Sequence, residues 1–313
     1  MRLVDAEAVH RLLDYPSTVE ALRGLYRQGV DLVESHLASQ PMPSGAEAHF
    51  LMLPAWQRGR FLGIKLVNVF PDNAGLGIPT IMGSYVLIDG RTGEHLACMD
   101  GTVLTLRKTA SNSALGASFL AREDAESMLM VGAGALAPHV IAAHVAVRPS
   151  IRRVAVWNRT PARARAVAQA VKLPGVVVTA TEDLEGAVRT ADVIACATMA
   201  TGPLVLGRWL KPGAHLDLIG GYTPAMRECD DEAARVARVY VDGPRVPDYC
   251  GDVCQPLASG AIRPEDLQGD LFQLCRGERQ GRRTRDEITF FKNGGGGHQD
   301  LGCAQLIWQR LQG

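Results

Sequence analysis

The residues best equipped for chemistry fall into two sets, and the first is compact. Met128-Leu129-Met130-Val131 runs directly into Gly132-Ala133-Gly134-Ala135-Leu136-Ala137. An apolar strand that ends in Gly-x-Gly-x-x-Ala and opens a helix makes a cradle for an anion. Gly132 allows a tight turn, Gly134 lets the backbone approach a pyrophosphate, and Ala137 keeps the helix close to the sheet. The unpaired N–H groups at the helix start face the negative charge. Glycine turns after strands are common, so the motif gains weight from its setting: a strand before it, a helix after it, and further alternation beyond. The end of the next strand reads Trp157-Asn158-Arg159-Thr160. An acid there would hold the ribose 2′-hydroxyl of NAD; Asn158 replaces it, and Arg159 offers a charged fork suited to a 2′-phosphate. The pattern predicts NADP(H) as the preferred dinucleotide, with NAD(H) also accepted. An arginine merely capping a surface turn is the plainer alternative. Thr198 and Met199 follow a fourth strand and Gly220 a fifth, at the carboxyl ends where such sheets bind ligands.

The second set is dispersed. Lys65 sits in mid-strand between Ile64 and Leu66, Arg107-Lys108-Thr109 come later, and His298 follows the glycine run Gly294–Gly297, with Asp300 two residues on. A partly buried ammonium can pair with a carboxylate or pass a proton. Taken singly, each has a bland reading: a sheet-edge charge for Lys65, a helix-entry surface charge for Lys108, a capping group for His298. The seven cysteines include no pair of pairs at metal-ligand spacing, which points to reduced thiols and no metal site.

These residues need elements to hold them. From Met1 to about Ser118, an amphipathic helix is expected over Thr18 to Val33. Strand-like runs follow at His49 to Leu53, Arg60 to Val69, Ser84 to Asp89 and Glu94 to Met99. Strands joined by turns suggest an antiparallel or mixed sheet. From Ala125 the character changes. Apolar runs at Met128 to Val131, Val154 to Trp157, Val176 to Val178, Val193 to Cys196, His215 to Ile219 and Val239 to Asp242 alternate with Ala-rich stretches. That is the signature of a parallel, doubly wound α/β sheet of Rossmann type. A last strand, Glu287 to Lys292, and a closing helix from His298 complete the chain. The expected organisation is therefore a dinucleotide-binding domain over residues 119–284, with residues 1–118 and 285–313 forming a discontinuous α+β substrate domain.

Composition narrows the field of partners. Lys plus Arg and Asp plus Glu both total 33, so the chain is formally neutral, and hydrophobic residues make up 47%. A neutral balance argues against a nucleic-acid or anionic-membrane binder but leaves room for a small anionic substrate. An acidic N-terminus and the lack of a long apolar run fit a cytosolic protein.

Several motifs, in order, resemble the ornithine cyclodeaminase/mu-crystallin family. They are Gly63-Ile-Lys65-Leu-Val-Asn68, Asp100-Gly101-Thr102, Lys108-Thr109-Ala110, the glycine turn, Asn158-Arg159, and Ile219-Gly220-Gly221 with Pro224 and Arg227-Glu228. Where cyclodeaminases of that family place an Asp after the Gly-Gly pair, this chain has Tyr222. Phe70-Pro71-Asp72-Asn73 and Gln255-Pro256-Leu257 look more like the Δ1-pyrroline-2-carboxylate reductases. The resemblance implies a homodimer and a small cyclic imino acid as substrate, reduced by NAD(P)H. It also favours Lys65 at the reacting centre, with Lys108 as carboxylate clamp. Arg107, Asn68, Thr109, Tyr222 and His298 are the expected substrate-binding residues, and His298 could also reach the cofactor or a proton path. Two features depart from the family: Lys108 stands where an Arg is usual, and no Arg occurs in the segment Glu34 to Gln40. A cyclodeaminase-type lyase, an open-chain amino-acid dehydrogenase and a non-catalytic NADPH-binding protein stay open beside the reductase.

Overall fold

A computed structural model describes all 313 residues. They form two compact units: Met1–Lys108 with Gly295–Gly313, and Thr109–Gly294. The boundaries anticipated after residues 118 and 284 thus fall after residues 108 and 294 instead. Two local causes account for the shift. The second half of the helix Gly101–Leu120 is tied into the second unit, where Ser113 Oγ donates to Asp217 (3.0 Å) and Asn112 Nδ2 to Asp242 (3.2 Å). The strand Thr289–Lys292 is an interior member of that unit's sheet.

In the first unit, Glu47–Gln57, Phe61–Val69, Ile81–Asp89 and His95–Asp100 make an antiparallel meander. Arg2–Val4 extends it in parallel beside His95–Asp100, and Asp31–Leu32 and His36–Pro41 both pair with Glu47–Gln57. The helix Gly297–Gln312 lies against the sheet, and the helix Tyr15–Gln28 packs on that helix. The latter begins and ends earlier than its apolar spacing suggested. Asp14 caps it by accepting from Ser17 N, and Pro16 is pre-set for a first turn. Gly29, at φ +88°, then turns the chain, so Asp31–Leu32 is strand rather than helix. His36–Pro41 went unanticipated because every residue in it is exposed, which leaves no apolar alternation to read.

The second unit carries eight parallel strands. Their order is Val177–Thr181, Arg153–Trp157, Ser127–Val131, Val193–Cys196, His215–Leu218, Thr289–Lys292, Arg238–Val241, Leu267–Asp270. Both faces of its central strands are buried, so Val193–Cys196 and His215–Leu218 are apolar or internally paired at every position. The chain's winding direction reverses between Ser127–Val131 and Val193–Cys196, and that switch point opens a crevice at the carboxyl ends of the strands. No helix of the chain is long and apolar enough to cross a membrane.

Candidate active site

Within the first unit, three helices and one strand bring six polar side chains together. Lys65, from Phe61–Val69, places Nζ 3.0 Å from Asp300 Oδ2, and Lys108 Nζ lies 3.8 Å from the same oxygen. Asp300 is fully buried, and the two lysine side chains are 7% and 5% exposed. Two lysines therefore share one carboxylate out of reach of bulk water, more basic groups than acidic ones. Burying an unmatched charge is costly, and proteins keep such charges mainly where function needs them. Neither oxygen of Asp300 receives a well-aligned hydrogen bond, so the cluster also has unfilled polar capacity.

The surrounding groups hold this arrangement. Lys108 Nζ donates to Gln299 Oε1 (3.1 Å), Gln299 Nε2 to Tyr26 Oη (3.1 Å), and Tyr26 Oη lies 3.2 Å from His298 Nε2. Burial, and then the nearby Lys108 charge, lower the His298 pKa to about 3, so its ring is neutral near pH 7. Tyr85, the cross-strand neighbour of Lys65, is fully buried with a hydroxyl that has no partner. Burial, and then the nearby Asp300 carboxylate, push that phenol's pKa well up, so it stays protonated. The closing helix reaches the sheet through Gly297, where a Cβ would stand 2.8 Å from Leu53 O and 2.9 Å from Pro54 O. Only glycine permits that approach, and it sets the depth of His298, Gln299 and Asp300.

Within the second unit, the glycine turn has the shape its sequence implied. Gly132 adopts φ +108°, and a Cβ there would meet Ala197 O at 2.5 Å, so the loops on either side of the switch point are in contact. Above Gly134 there is open space. The helix Ala137–Val147 begins with no side-chain cap, its N-cap being Leu136. Room over the turn and an uncapped helix start fit a pyrophosphate. Asn158 Nδ2 turns inward to Thr160 O (3.1 Å), while Arg159 and Thr160 are exposed at the end of Arg153–Trp157.

A second buried charged group underlies the later loops. Thr198 donates to Glu228 Oε1 through both N (2.7 Å) and Oγ1 (2.8 Å). Asp252 Oδ1 accepts from Glu228 N (2.6 Å) and Cys229 N (3.2 Å). Lys292 Nζ donates to Asp252 Oδ2 (3.0 Å) and to Gly220 O. Burial raises the Glu228 pKa to about 7; Lys292 opposes the shift and Asp252 adds to it. Burial alone would lower the Lys292 pKa, but Asp252 and Glu228 outweigh it, and the net direction is up.

The structure brings together only part of the set chosen from sequence. Lys65 and Lys108 meet; Lys108 lies in mid-helix and buried, not at a helix entry on the surface. Asn68 lies three residues along the strand from Lys65, and on a two-residue period that puts it on the opposite face. Arg107 turns away from Lys108, donates to His10 O (3.1 Å) and lies 4.6 Å from the Tyr15 ring centre, which pins the helix Gly101–Leu120 to its neighbours. Thr109 belongs to the second unit, where its carbonyl accepts from Asn293 (3.0 Å). His298 is buried against Tyr26 and is neither a surface nor a capping residue. Tyr222 is half exposed, with its hydroxyl 3.6 Å from the sulfur of exposed Met199. Sequence reasoning gave no role to Tyr26, Tyr85, Gln299, Asp252 or Lys292. For Lys292 a signal existed, since a lysine ending the apolar run Phe290-Phe291 repeats the pattern of Lys65.

The sequence pattern that defines the ornithine cyclodeaminase/mu-crystallin family matches residues 11–313. The chain belongs to that family. Among curated relatives, it is 44% identical over 264 residues to Protein SAR DEFICIENT 4 of Arabidopsis thaliana, covering 82% of this chain and 81% of that one. It is 39% identical over 304 residues to a Delta(1)-pyrroline-2-carboxylate reductase of Paracoccus denitrificans, covering 96% and 94%. Among solved structures, the Delta(1)-pyrroline-2-carboxylate reductase of Thermococcus litoralis, in complex with NADH and L-proline, superposes with a TM-score of 0.90. That match is 26% identical and covers 100% of this chain and 98% of the other.

Proposed function

We propose that this protein reduces a cyclic ketimine carrying one carboxylate, Δ1-pyrroline-2-carboxylate or its six-membered homologue, to L-proline or L-pipecolate. The observation that carries the reading is the buried Lys65–Asp300–Lys108 cluster, in which two lysines share one acid. A substrate carboxylate would give the two lysines a second anionic partner. The reaction adds a hydride to C2 of the protonated C=N bond and gives a neutral secondary amine, which then takes a proton from solvent; a bound nicotinamide would supply the hydride. In this reading the two ammonium groups orient the carboxylate. Asp300 keeps them from repelling each other and offsets the positive charge of the iminium nitrogen before it is quenched. The Delta(1)-pyrroline-2-carboxylate reductase names among the relatives, and the proline in the Thermococcus litoralis complex, support the substrate class.

NADPH is the preferred donor in this reading, on the ground that Arg159 is exposed where an acid would select NAD. The same reading includes a cytosolic homodimer, supported by the family resemblance and by the apolar side chains of Leu32, Leu37, Trp56 and Ile81 exposed on the first unit. The lyase reading is disfavoured by Tyr222, which supplies no carboxylate after Gly220-Gly221. The test follows NADPH absorbance on addition of Δ1-pyrroline-2-carboxylate, with L-ornithine plus NAD run in parallel. Consumption of NADPH, slower with NADH, is expected. Ammonia release from ornithine with NADPH untouched would overturn the proposal in favour of the lyase.

A further inference from the structure

We propose that His298 and Tyr26 are positioning residues for Lys108, acting through a one-way hydrogen-bond chain that holds the Gln299 carboxamide with its oxygen toward the ammonium. The direction follows from donor counting. An ammonium only donates, so the Gln299 atom 3.1 Å from Lys108 Nζ must be the carbonyl oxygen. The amide NH2 is then left facing Tyr26, 3.1 Å away, and that contact makes the Tyr26 oxygen an acceptor. A phenol has one proton to give, and the unprotonated nitrogen of a neutral imidazole 3.2 Å away accepts it. His298 thus carries its proton on Nδ1 and receives on Nε2, so the chain runs Lys108 to Gln299 to Tyr26 to His298 without a reversal.

The charged neighbours fit this polarity. Lys108 from one helix disfavours a second cation at His298, Asp300 from its own helix favours one, and burial outweighs Asp300. Were the chain broken, the carboxamide could rotate and present its NH2 to Lys108, which is repulsive, and the ammonium would lose its aim. His298 on this account neither touches substrate nor passes a proton, unlike the substrate-binding role expected from the sequence.

The geometric part of the proposal is independent of the substrate; only its kinetic consequence rests on Lys108 binding a carboxylate. Nitrogen-15 NMR of labelled histidines, with His298 assigned by its loss in His298→Gln, reads the geometry. The expected spectrum shows Nδ1 protonated, Nε2 an acceptor, and no titration between about pH 8 and pH 5.5. In Tyr26→Phe the acceptor shift at Nε2 disappears. KM for the imino acid then rises roughly 10-fold, the scale of one hydrogen bond to a charged group, while kcat changes less. His298→Gln, whose carbonyl can still accept from Tyr26, keeps KM closer to wild type than His298→Ala does. A His298 ring protonated on Nε2, or titrating near its ordinary 6.5, overturns the chain. So does a Tyr26→Phe or His298→Ala protein that loses kcat with KM unmoved. If the spectrum is as expected but the wild-type protein reduces no ketimine, the substrate reading fails and the chain stands.

Discussion

Each unit buries a strand lysine against a carboxylate from a helix, and the two lysines keep opposite company. Lys292 is fully buried; it donates to Asp252 and to Gly220 O, and faces two acids. Lys65 shares a single acid with another lysine. The second unit's cluster can balance itself: with Glu228 pushed up to about 7, one proton there leaves Lys292 and Asp252 as a neutral pair. The first unit's cluster sets two lysines against one acid, so a second anion is the partner it can accept. A cluster closed by its own proton acts as structure, tying Thr198 and Gly220 into place. A cluster with room for an incoming anion suits the binding role proposed for it.

Substitution of each lysine by methionine sets the two against each other. Lys292→Met leaves Asp252 buried without its cation, and such loss of one partner costs about 3–5 kcal/mol in comparable buried pairs. Lys65→Met leaves Lys108 and Asp300 as one balanced pair, so its stability change is expected to stay within about 1 kcal/mol. Activity reverses the order: Lys65→Met loses roughly 100-fold or more in kcat/KM, the scale set by removal of one preorganised charge-stabilising group. Urea denaturation alongside steady-state kinetics reads both quantities. Equal destabilisation by the two changes would erase the distinction between structural and functional lysine. Asp300→Asn sharpens the same contrast, because it leaves two ammonium groups facing each other with no carboxylate. It should destabilise more than Lys65→Met, and the deficit should shrink as chloride is raised if an anion can enter the site.

How much of this was legible in the sequence depends on whether a feature is local. Val193–Cys196 falls where its apolar run placed it, and the glycine turn has the expected φ, because strand and turn are written in neighbouring residues. The helix Gly101–Leu120 is harder to read: Ala110, Ala114 and Ala117 are buried along with Ser111, Asn112 and Ser113, so no polar face marks its period. Lys65 was noticeable as a charge inside an apolar strand. Its partner Asp300 lies 235 positions away by the numbering, and nothing in either segment's spacing announces the pair. Tyr26 falls inside the amphipathic helix expected over Thr18 to Val33 with nothing to set it apart, yet its hydroxyl joins two residues of the last helix. The place of Thr289–Lys292 in the sheet was equally hidden, since a short buried strand pairs by shape and not by neighbouring sequence.

The smallest expected effect tests whether the second cluster does close itself with a proton. Glu228 has an ordinary pKa of 4.5 and a folded value of about 7. Between those values the native chain retains a proton that the unfolded chain has released. Stability therefore falls as pH rises through that window, and this group contributes no slope below or above it. Glu228→Gln removes the titration while keeping a side-chain oxygen to accept from Thr198. The wild-type protein should lose stability relative to the variant between about pH 4.5 and pH 7, with the two curves parallel outside that range. Asp192 does not mask the effect. Its pKa is lowered to about 2, so the stability it contributes is lost only as pH falls below its ordinary 3.8. Curves that run parallel from pH 4.5 upward would mean that Glu228 stays ionised and Lys292 offsets two full negative charges. Imbalance alone would then no longer single out the Lys65 site.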